Sequence, residues 1–556
     1  MMSVSTTESA PAVARRSSPL GDAFHVFDTT LRDGAQREGI TYSVADKIAV
    51  ATLLDELGVG FIEGGWPGAM PKDTEFFARA AAGELALTTA RLVAFGATRK
   101  AGTRADADPQ VRALLDAGAE VVTLVAKSDV RHVERALRTT LEENLAMVSD
   151  TVRLLVDHGR RVFLDCEHFF DGYAADRDYG LRVAEAAVTA GADVVVLCDT
   201  NGGMLPMFVE RIVGEVRERT GFRIGIHCQD DTGCAVANTV AAVQAGATHV
   251  QCTANGYGER AGNADLFAVV GNLTTKMNLP VLPDGALVEM MRVSHALAEL
   301  ANIAPNTHQA YVGSSAFSHK AGLHASAIKV DPDLYNHLDP TVVGNDMHIL
   351  ITEMAGRASV ELKARELGVD LAGRPDAVGR IVDAVKDREA AGWSYEAADA
   401  SFELLIRDEL SAADATGAGG APPRAFTLES YRVIVENVGG SVTSEATVKV
   451  HVGGRRIIAT AEGNGPVNAL DSALRSAVAE QYPELNEVEL IDYKVRILAG
   501  HAGTDSITRV LVTSAHVGAP GPEEWTTVGV HANVVEASWQ ALVDALVYVL
   551  PVGNPT

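Results

Sequence analysis

Six times in the first half of the chain a helix-patterned segment meets a glycine, and two residues later a short β-rich run begins: LDELGVGFIEGG, LLDAGAEVVTLV, LVDHGRRVFLDC, AVTAGADVVVLC, ERTGFRIGIHC and AVQAGATHVQCT. Glycine at these junctions (Gly58, Gly118, Gly159, Gly191, Gly221 and Gly246) suits a left-handed helix terminus that feeds a strand. The segment before Gly58 shows how one unit is specified: Ser43 and Asp46 read as a capping box, and Val50, Leu53, Leu54 and Leu57 form one apolar face. With further runs near 25 and 91, eight strands are expected, starting near 25, 59, 91, 120, 161, 193, 223 and 249. Strict alternation of strands and helices implies parallel pairing, and eight such units match a closed (β/α)8 TIM barrel. An open doubly wound sheet is the alternative, weakened because no glycine-rich dinucleotide fingerprint follows the first strand.

At 556 residues the chain exceeds the size of a single core. Residues 1–21 read as a disordered tail, 22–285 as the barrel and 286–410 as helical lid or linker subdomains. SAADATGAGGAPPR (411–424) reads as a flexible linker. In 425–556 the pattern changes class, and three strand-and-turn runs followed by a helix occur twice, giving an α+β domain of duplicated βββα units; its seam reads equally as a place for a small ligand and as plain structural duplication. The short stretches GNDMH and GNGP read as turns rather than phosphate loops.

The formal charge of −26 argues against nucleic-acid or anionic-membrane partners, which are bound through clustered Lys and Arg. Cys166, Cys198, Cys228, Cys234 and Cys252 show no C-x-x-C spacing, as expected of reduced thiols in a cytoplasmic protein. The first residues lack the apolar core of a secretory signal, and no later segment approaches the length of a membrane span.

In a parallel barrel catalytic groups come from the C-terminal ends of the strands. Here those ends carry Asp28, Arg32 and Asp33; Glu63; Glu167 and His168; Asp199, Thr200 and Asn201; His227, Gln229 and Asp230; and, after the eighth strand, Glu259 and Asn263. Side chains alternate along a strand, so His227 and Gln229 share a face. With Asp33 and Asn263 they form an oxygen-rich set suited to Mg2+ or Mn2+ better than to Zn2+. Each of these residues alone reads more readily as a satisfied polar group at a strand end; their convergence on one rim favours a site. Asp165 shares a face with Glu167 but lies deeper, as a structural acceptor would. Arg32 beside Asp33 is placed to polarise a carbonyl or hold a carboxylate, and Thr200 either ends a strand or donates to a substrate carboxylate.

DTTLRDGAQ, DTNGGMLP, HCQDDTG and NGYGERAGN, in that order, resemble the signature regions of the acyltransferases that condense acetyl-CoA with a 2-oxo acid, the 2-isopropylmalate, homocitrate and citramalate synthases. RDGAQREGI with EGGWPGAMPKD resembles the citramalate branch most, and the linker and duplicated domain resemble the regulatory domain of isopropylmalate synthases. The resemblance implies a divalent metal held by Asp33, His227 and Asn263, with Gln229 where the family has the second His of an H-x-H pair. It implies that Arg32 activates the keto oxygen, that Glu167 assists proton transfer or orders the metal-bound water, and that Thr200 binds the carboxylate. His324, in SHKAGLHASAI, matches a histidine that family members insert into the neighbouring subunit's site, which implies a homodimer.

The implied reaction is a Claisen condensation of acetyl-CoA with pyruvate to citramalate and CoA, with feedback by an amino acid, isoleucine, at the C-terminal domain. Three alternatives stand beside it: a 2-isopropylmalate synthase taking 2-oxoisovalerate, a lyase resembling hydroxymethylglutaryl-CoA lyase, and a non-catalytic amino-acid sensor in which Gln229 marks a decayed metal site.

Overall fold

The computed structural model describes residues 16–415, 425–498, 506–517 and 524–550. The chain separates into two compact units, residues 1–317 with 338–346, and residues 318–337 with 347–556.

In the first unit eight strands close a parallel barrel in sequence order: β1 His25–Asp28, β2 Phe61–Gly65, β3 Arg91–Ala97, β4 Val121–Lys127, β5 Arg161–Glu167, β6 Val194–Asp199, β7 Ile224–Cys228 and β8 His249–Cys252. β8 returns to β1 with Val26 opposite Val250, which shuts the ring. The six junction glycines all have positive φ, between 66° and 109°. At Gly58 a side chain is excluded twice over, because φ is 95° and a Cβ would stand 2.4 Å from Pro283. The helix Val44–Leu57 begins with the expected reciprocal cap, Ser43 accepting from the Asp46 N–H while Asp46 accepts from the Ser43 N–H.

Inside the barrel Phe27, Phe61, Val93, Val121, Phe163, Val194, Val196 and Cys198 form a closed apolar plug. Below it His25 and His249 meet at 3.2 Å between Nδ1 atoms, and Arg161 pairs with Asp22 and Asp193. The plug separates this basal polar cluster from the side chains at the C-terminal end of the strands, where the sites of such barrels lie.

Two sequence-drawn boundaries shift. The Arg16 N–H donates to the Thr88 carbonyl at 2.9 Å and Asp22 is held by Arg161, so the tail drawn at 1–21 gives way to placed chain by residue 16; residues 1–15 lie outside the described residues. The helix Met290–Leu300 buries Met290, Val293 and Leu297 in the barrel's own core, so the line drawn at 285 falls inside the first unit.

In the second unit β9 Ser318–His319 pairs in parallel with β10 His348–Ile349. Helices Arg357–Glu366, Pro375–Ala390 and Asp399–Ala415 follow, around a core of Val360, Ile381, Tyr395 and Phe402. The last helix carries the first five residues of the expected linker; 416–424 lie outside the described residues. Two antiparallel sheets come next, β11 Phe426–Val438, β12 Ser441–Val452 and β13 Arg455–Gly463, then β14 Val488–Ile497, β15 Thr508–His516 and β16 Glu524–His531. Each is followed by a helix, Pro466–Val478 or Val534–Val549, and Trp539 and Leu546 of the second helix share a core with Leu470 and Leu474 of the first. Among the described residues no helix is long and apolar enough to cross a membrane.

Candidate active site

The turn after β1 gives Asp28, Arg32 and Asp33 different parts. Asp28 is fully buried and accepts from the Thr30 N–H at 2.9 Å and the Thr30 hydroxyl at 2.8 Å; burial pushes its carboxyl up to about 7. Thr30 Oγ1 also accepts from the Ala254 N–H at 2.7 Å, tying the loop after β8 to β1. Asp28 is thus a brace, and it turns the next residues across the barrel mouth.

Arg32 and Asp33 are the pair so presented. Glu63, fully buried at the end of β2, accepts from Arg32 Nε and from the Thr29 hydroxyl, each at 2.6 Å. Arg32 Nη1 lies 3.4 Å from Asp33 Oδ1, and the guanidinium carbon sits 4.0 Å above the Phe95 ring. The guanidinium is held in one orientation and stays charged: burial works against the charge, but Glu63 and Asp33 outweigh it.

Asp33, His227, Gln229 and Asn263 come together, each less than a tenth exposed. His227 Nε2 is 3.3 Å from Asp33 Oδ2, and Gln229 Nε2 donates to the same oxygen at 3.0 Å. Gln229 and Asn263 face each other in a β-bridge, and Asn263 Nδ2 donates to the Tyr257 carbonyl at 2.9 Å. The loop that delivers Asn263 needs its glycines: a Cβ on Gly258, at φ 156°, would stand 2.2 Å from the Asn263 amide nitrogen. Both amides spend their nitrogens within the protein, while Gln229 Oε1 and Asn263 Oδ1 are buried without a hydrogen-bond partner. Buried acceptors are ordinarily satisfied, so two orphaned amide oxygens on residues of the Asp33 and His227 cluster fit ligands of a hard divalent cation. Among the described residues no group of three or more His, Cys, Asp or Glu is arranged to hold a metal ion, and two of the four ligand candidates here are amides.

The electrostatics agree. Burial alone would raise Asp33, but Arg32 and His227 hold its carboxyl well below the usual range. Burial would lower His227, and the Asp33 carboxylate outweighs it and raises the imidazole. Asp165, fully enclosed beside Glu63, is pushed up to about 7.

Arg32, Asp33, Glu167, Thr200, His227 and Gln229 line one cavity of about 640 Å³. Glu167 pairs there with Lys127 from the neighbouring strand end, opposite it in the sheet register. Thr200 Oγ1 accepts from the His168 N–H at 2.8 Å, a bond made possible by the left-handed His168 backbone at φ 58°. With an acceptor position filled, the Thr200 hydroxyl proton remains to donate into the cavity. Asn263 joins through its bridge to Gln229 rather than as a lining residue. Asp199 and Asp230 instead accept backbone N–H groups of Gly203, Met204 and Ala235, shaping loops, and Asn201 donates to Asp171. His324 belongs to the second unit, on the helix Gly322–Ile328, its ring stacked on Tyr335 at 4.1 Å.

Sequence reasoning assigned no part to Lys127, Phe95 or Gln251. Gln251 alternates with His249 along β8, a polar inward face that marks it; Lys127 ends an apolar run and carried no such signal.

Family models match three stretches: HMGL-like over residues 23–297, homocitrate synthase post-HMGL domain-like over 311–392, and LeuA allosteric (dimerisation) domain over 396–550. An (R)-citramalate synthase of Streptomyces coelicolor is 64% identical over 96% of this chain and 97% of its own. One of Synechocystis sp. is 45% identical over 94% of this chain and 95% of its own. A 2-isopropylmalate synthase of Methanocaldococcus jannaschii, covering 94% of each chain, is 30% identical.

Proposed function

We infer the reaction from one premise: the chain belongs to the (R)-citramalate synthase family of HMGL-like barrel proteins. It is an acyltransferase that condenses acetyl-CoA with pyruvate to citramalate and CoA, feeding isoleucine biosynthesis; the 64% and 45% identities favour this over the 2-isopropylmalate reaction.

The family implies a divalent cation, and Asp33, His227, Gln229 and Asn263 would hold it, with Mg2+ or Mn2+ suiting two amide oxygens, a carboxylate and one imidazole better than Zn2+ does. When bound, it supplies Lewis acidity toward the keto group and charge for the substrate carboxylate. Thr200 donates its hydroxyl to that carboxylate. Glu167, held by Lys127, takes the proton as the methyl C–H bond of acetyl-CoA breaks, and the electron pair forms the new bond to the keto carbon. Charge then develops on the former keto oxygen, and Arg32, fixed by Glu63 and Phe95, meets it with hydrogen bonds rather than a proton, since flanking carboxylates keep the guanidinium charged; the oxygen then takes up the proton that Glu167 removed, by way of water, and becomes the product hydroxyl. Water finally cleaves the thioester and releases CoA. His324 of a second protomer serves the same proton traffic in a homodimer, a reading supported by the match of residues 396–550 to a dimerisation domain.

The allosteric domain binds isoleucine in a cavity of about 630 Å³ lined by Asn468, Asp471, Arg475, Glu489 and Tyr493, between the first half's helix and the second half's first strand. Five free cysteines accord with the cytoplasm.

The observation that carries the reading is the pair of orphaned amide oxygens on Gln229 and Asn263, bridged to each other at the edge of a cavity lined by Arg32, Asp33, His227 and Gln229. Thiol release from acetyl-CoA with pyruvate and with 2-oxoisovalerate, with and without Mn2+, tests it. Metal-dependent release favouring pyruvate is expected, whereas preference for 2-oxoisovalerate, or no release with either, overturns it.

A further inference from the structure

Gln251 stands on the inward face of β8, 1% exposed, between side chains of two other strands. Its Nε2 donates to Asp165 Oδ1 on β5 at 2.8 Å, and its Oε1 lies 2.9 Å from Nδ1 of His227 on β7. An amide has one end that only accepts and one that only donates. Asp165 Oδ1 accepts from the amide nitrogen, so that end is turned toward β5 and the amide oxygen toward β7. An acceptor at 2.9 Å from Nδ1 requires that nitrogen to carry the ring proton. Nε2 is then left with its lone pair, 3.3 Å from Asp33 Oδ2. Two electron-rich atoms at that distance need a positive charge between them, either a second ring proton on Nε2 or a metal ion in its place. The reverse amide orientation would aim donors at Nδ1 and move the ring proton to Nε2, where a cation has to sit.

We propose that Gln251, oriented by Asp165, is the positioning residue that fixes His227 with its proton on Nδ1, so that Nε2 is preset to bind a divalent cation together with Asp33, Gln229 and Asn263. The inference rests on the metal reading of that cluster. It adds that affinity for the ion is set by two side chains that never touch it, as is general for histidine ligands whose second nitrogen is held by a hydrogen bond.

Calorimetric titration of the full-length protein with Mn2+ tests this, using wild type, Asp33→Ala, Gln251→Met and the exchange variant Asp165→Asn with Gln251→Glu. Gln251→Met keeps the length of the side chain and removes the acceptor; Gln251→Leu replaces it if that variant does not fold, as judged by thermal unfolding. Affinity should fall by about 10 to 100-fold, the usual cost of losing such a partner. The exchange variant keeps both contacts but reverses the one to β5, because the new amide at position 165 donates to the new carboxylate at 251, which still accepts from Nδ1. It should bind within about threefold of wild type. Binding by Gln251→Met within twofold of wild type, or an exchange variant as weak as Gln251→Met, overturns the inference. Loss of binding in Asp33→Ala without loss in Gln251→Met overturns it alone, whereas undiminished binding in Asp33→Ala removes the metal reading and this inference with it.

Discussion

Arg32 stands between the buried Glu63 carboxylate and the cavity, so its removal has a folding effect and a chemical effect that two variants can separate. Arg32→Met deletes the cation and leaves Glu63, fully buried, facing only the Thr29 hydroxyl. Breaking a buried pair in this way costs about 3–5 kcal/mol. At about 2 °C per kcal/mol for a unit of this size, the barrel's melting temperature should drop by about 6–10 °C. Adding Glu63→Gln removes both charges, leaves an acceptor for Thr29, and should recover most of that loss. Turnover should not recover, because neither variant has the guanidinium that meets the developing oxyanion, and losing one such donor costs about 100 to 1,000-fold, or about 2.7–4 kcal/mol. Thermal unfolding of the full-length protein, read beside CoA thiol release at saturating acetyl-CoA and pyruvate, separates the two effects. A double variant within tenfold of wild-type turnover would refute the role given to Arg32, and a single variant melting at the wild-type temperature would refute the buried-pair reasoning.

Three further outcomes follow from the same structure. Asp33→Ala should lose Mn2+ binding and turnover while keeping its circular dichroism spectrum, and wild-type turnover in that variant would contradict the assignment. At the barrel base, burial, then the charges of Arg223 and Arg161, hold His25 down to about 4 from 6.5. The unfolded chain therefore takes up that proton first, and the barrel is constant in this contribution above pH 6.5 and loses about 3 kcal/mol as pH falls from there through 4; His25→Gln should flatten that slope in denaturant titrations across this range, and parallel curves would show that His25 is not its source. Deletion after residue 424 should abolish inhibition by isoleucine while leaving catalysis measurable, and inhibition that persists in the truncated protein would remove the effector from the C-terminal domain.

The barrel was legible because its determinants are local. A glycine that must take positive φ, a cap two to four residues wide and a run of β-branched residues each fit inside a dozen residues, and they recur. The strand ends were legible for the same reason, since Asp33, Glu167, Thr200, His227 and Gln229 each follow an apolar run. What the sequence could not carry was the pairing across the ring. That Glu63 orients Arg32, that Lys127 meets Glu167 and that Gln251 joins Asp165 to His227 depend on the register of strands tens to hundreds of residues apart. Asp28 shows the converse, a carboxylate placed at the rim by sequence and turned by Thr30 into the brace of its own loop. The line drawn at 285 failed on a helix whose apolar face, with Val293 and Leu297, reads the same whichever core receives it.

Electron spin-echo spectroscopy of Mn2+ bound to the full-length protein asks the central question directly, because it counts the imidazole nitrogens on the ion. With an amide at position 229, wild type should show one such nitrogen, His227→Gln none and Gln229→His two. A wild-type spectrum with no imidazole nitrogen, or one unchanged in His227→Gln, would contradict the cation site at the barrel mouth.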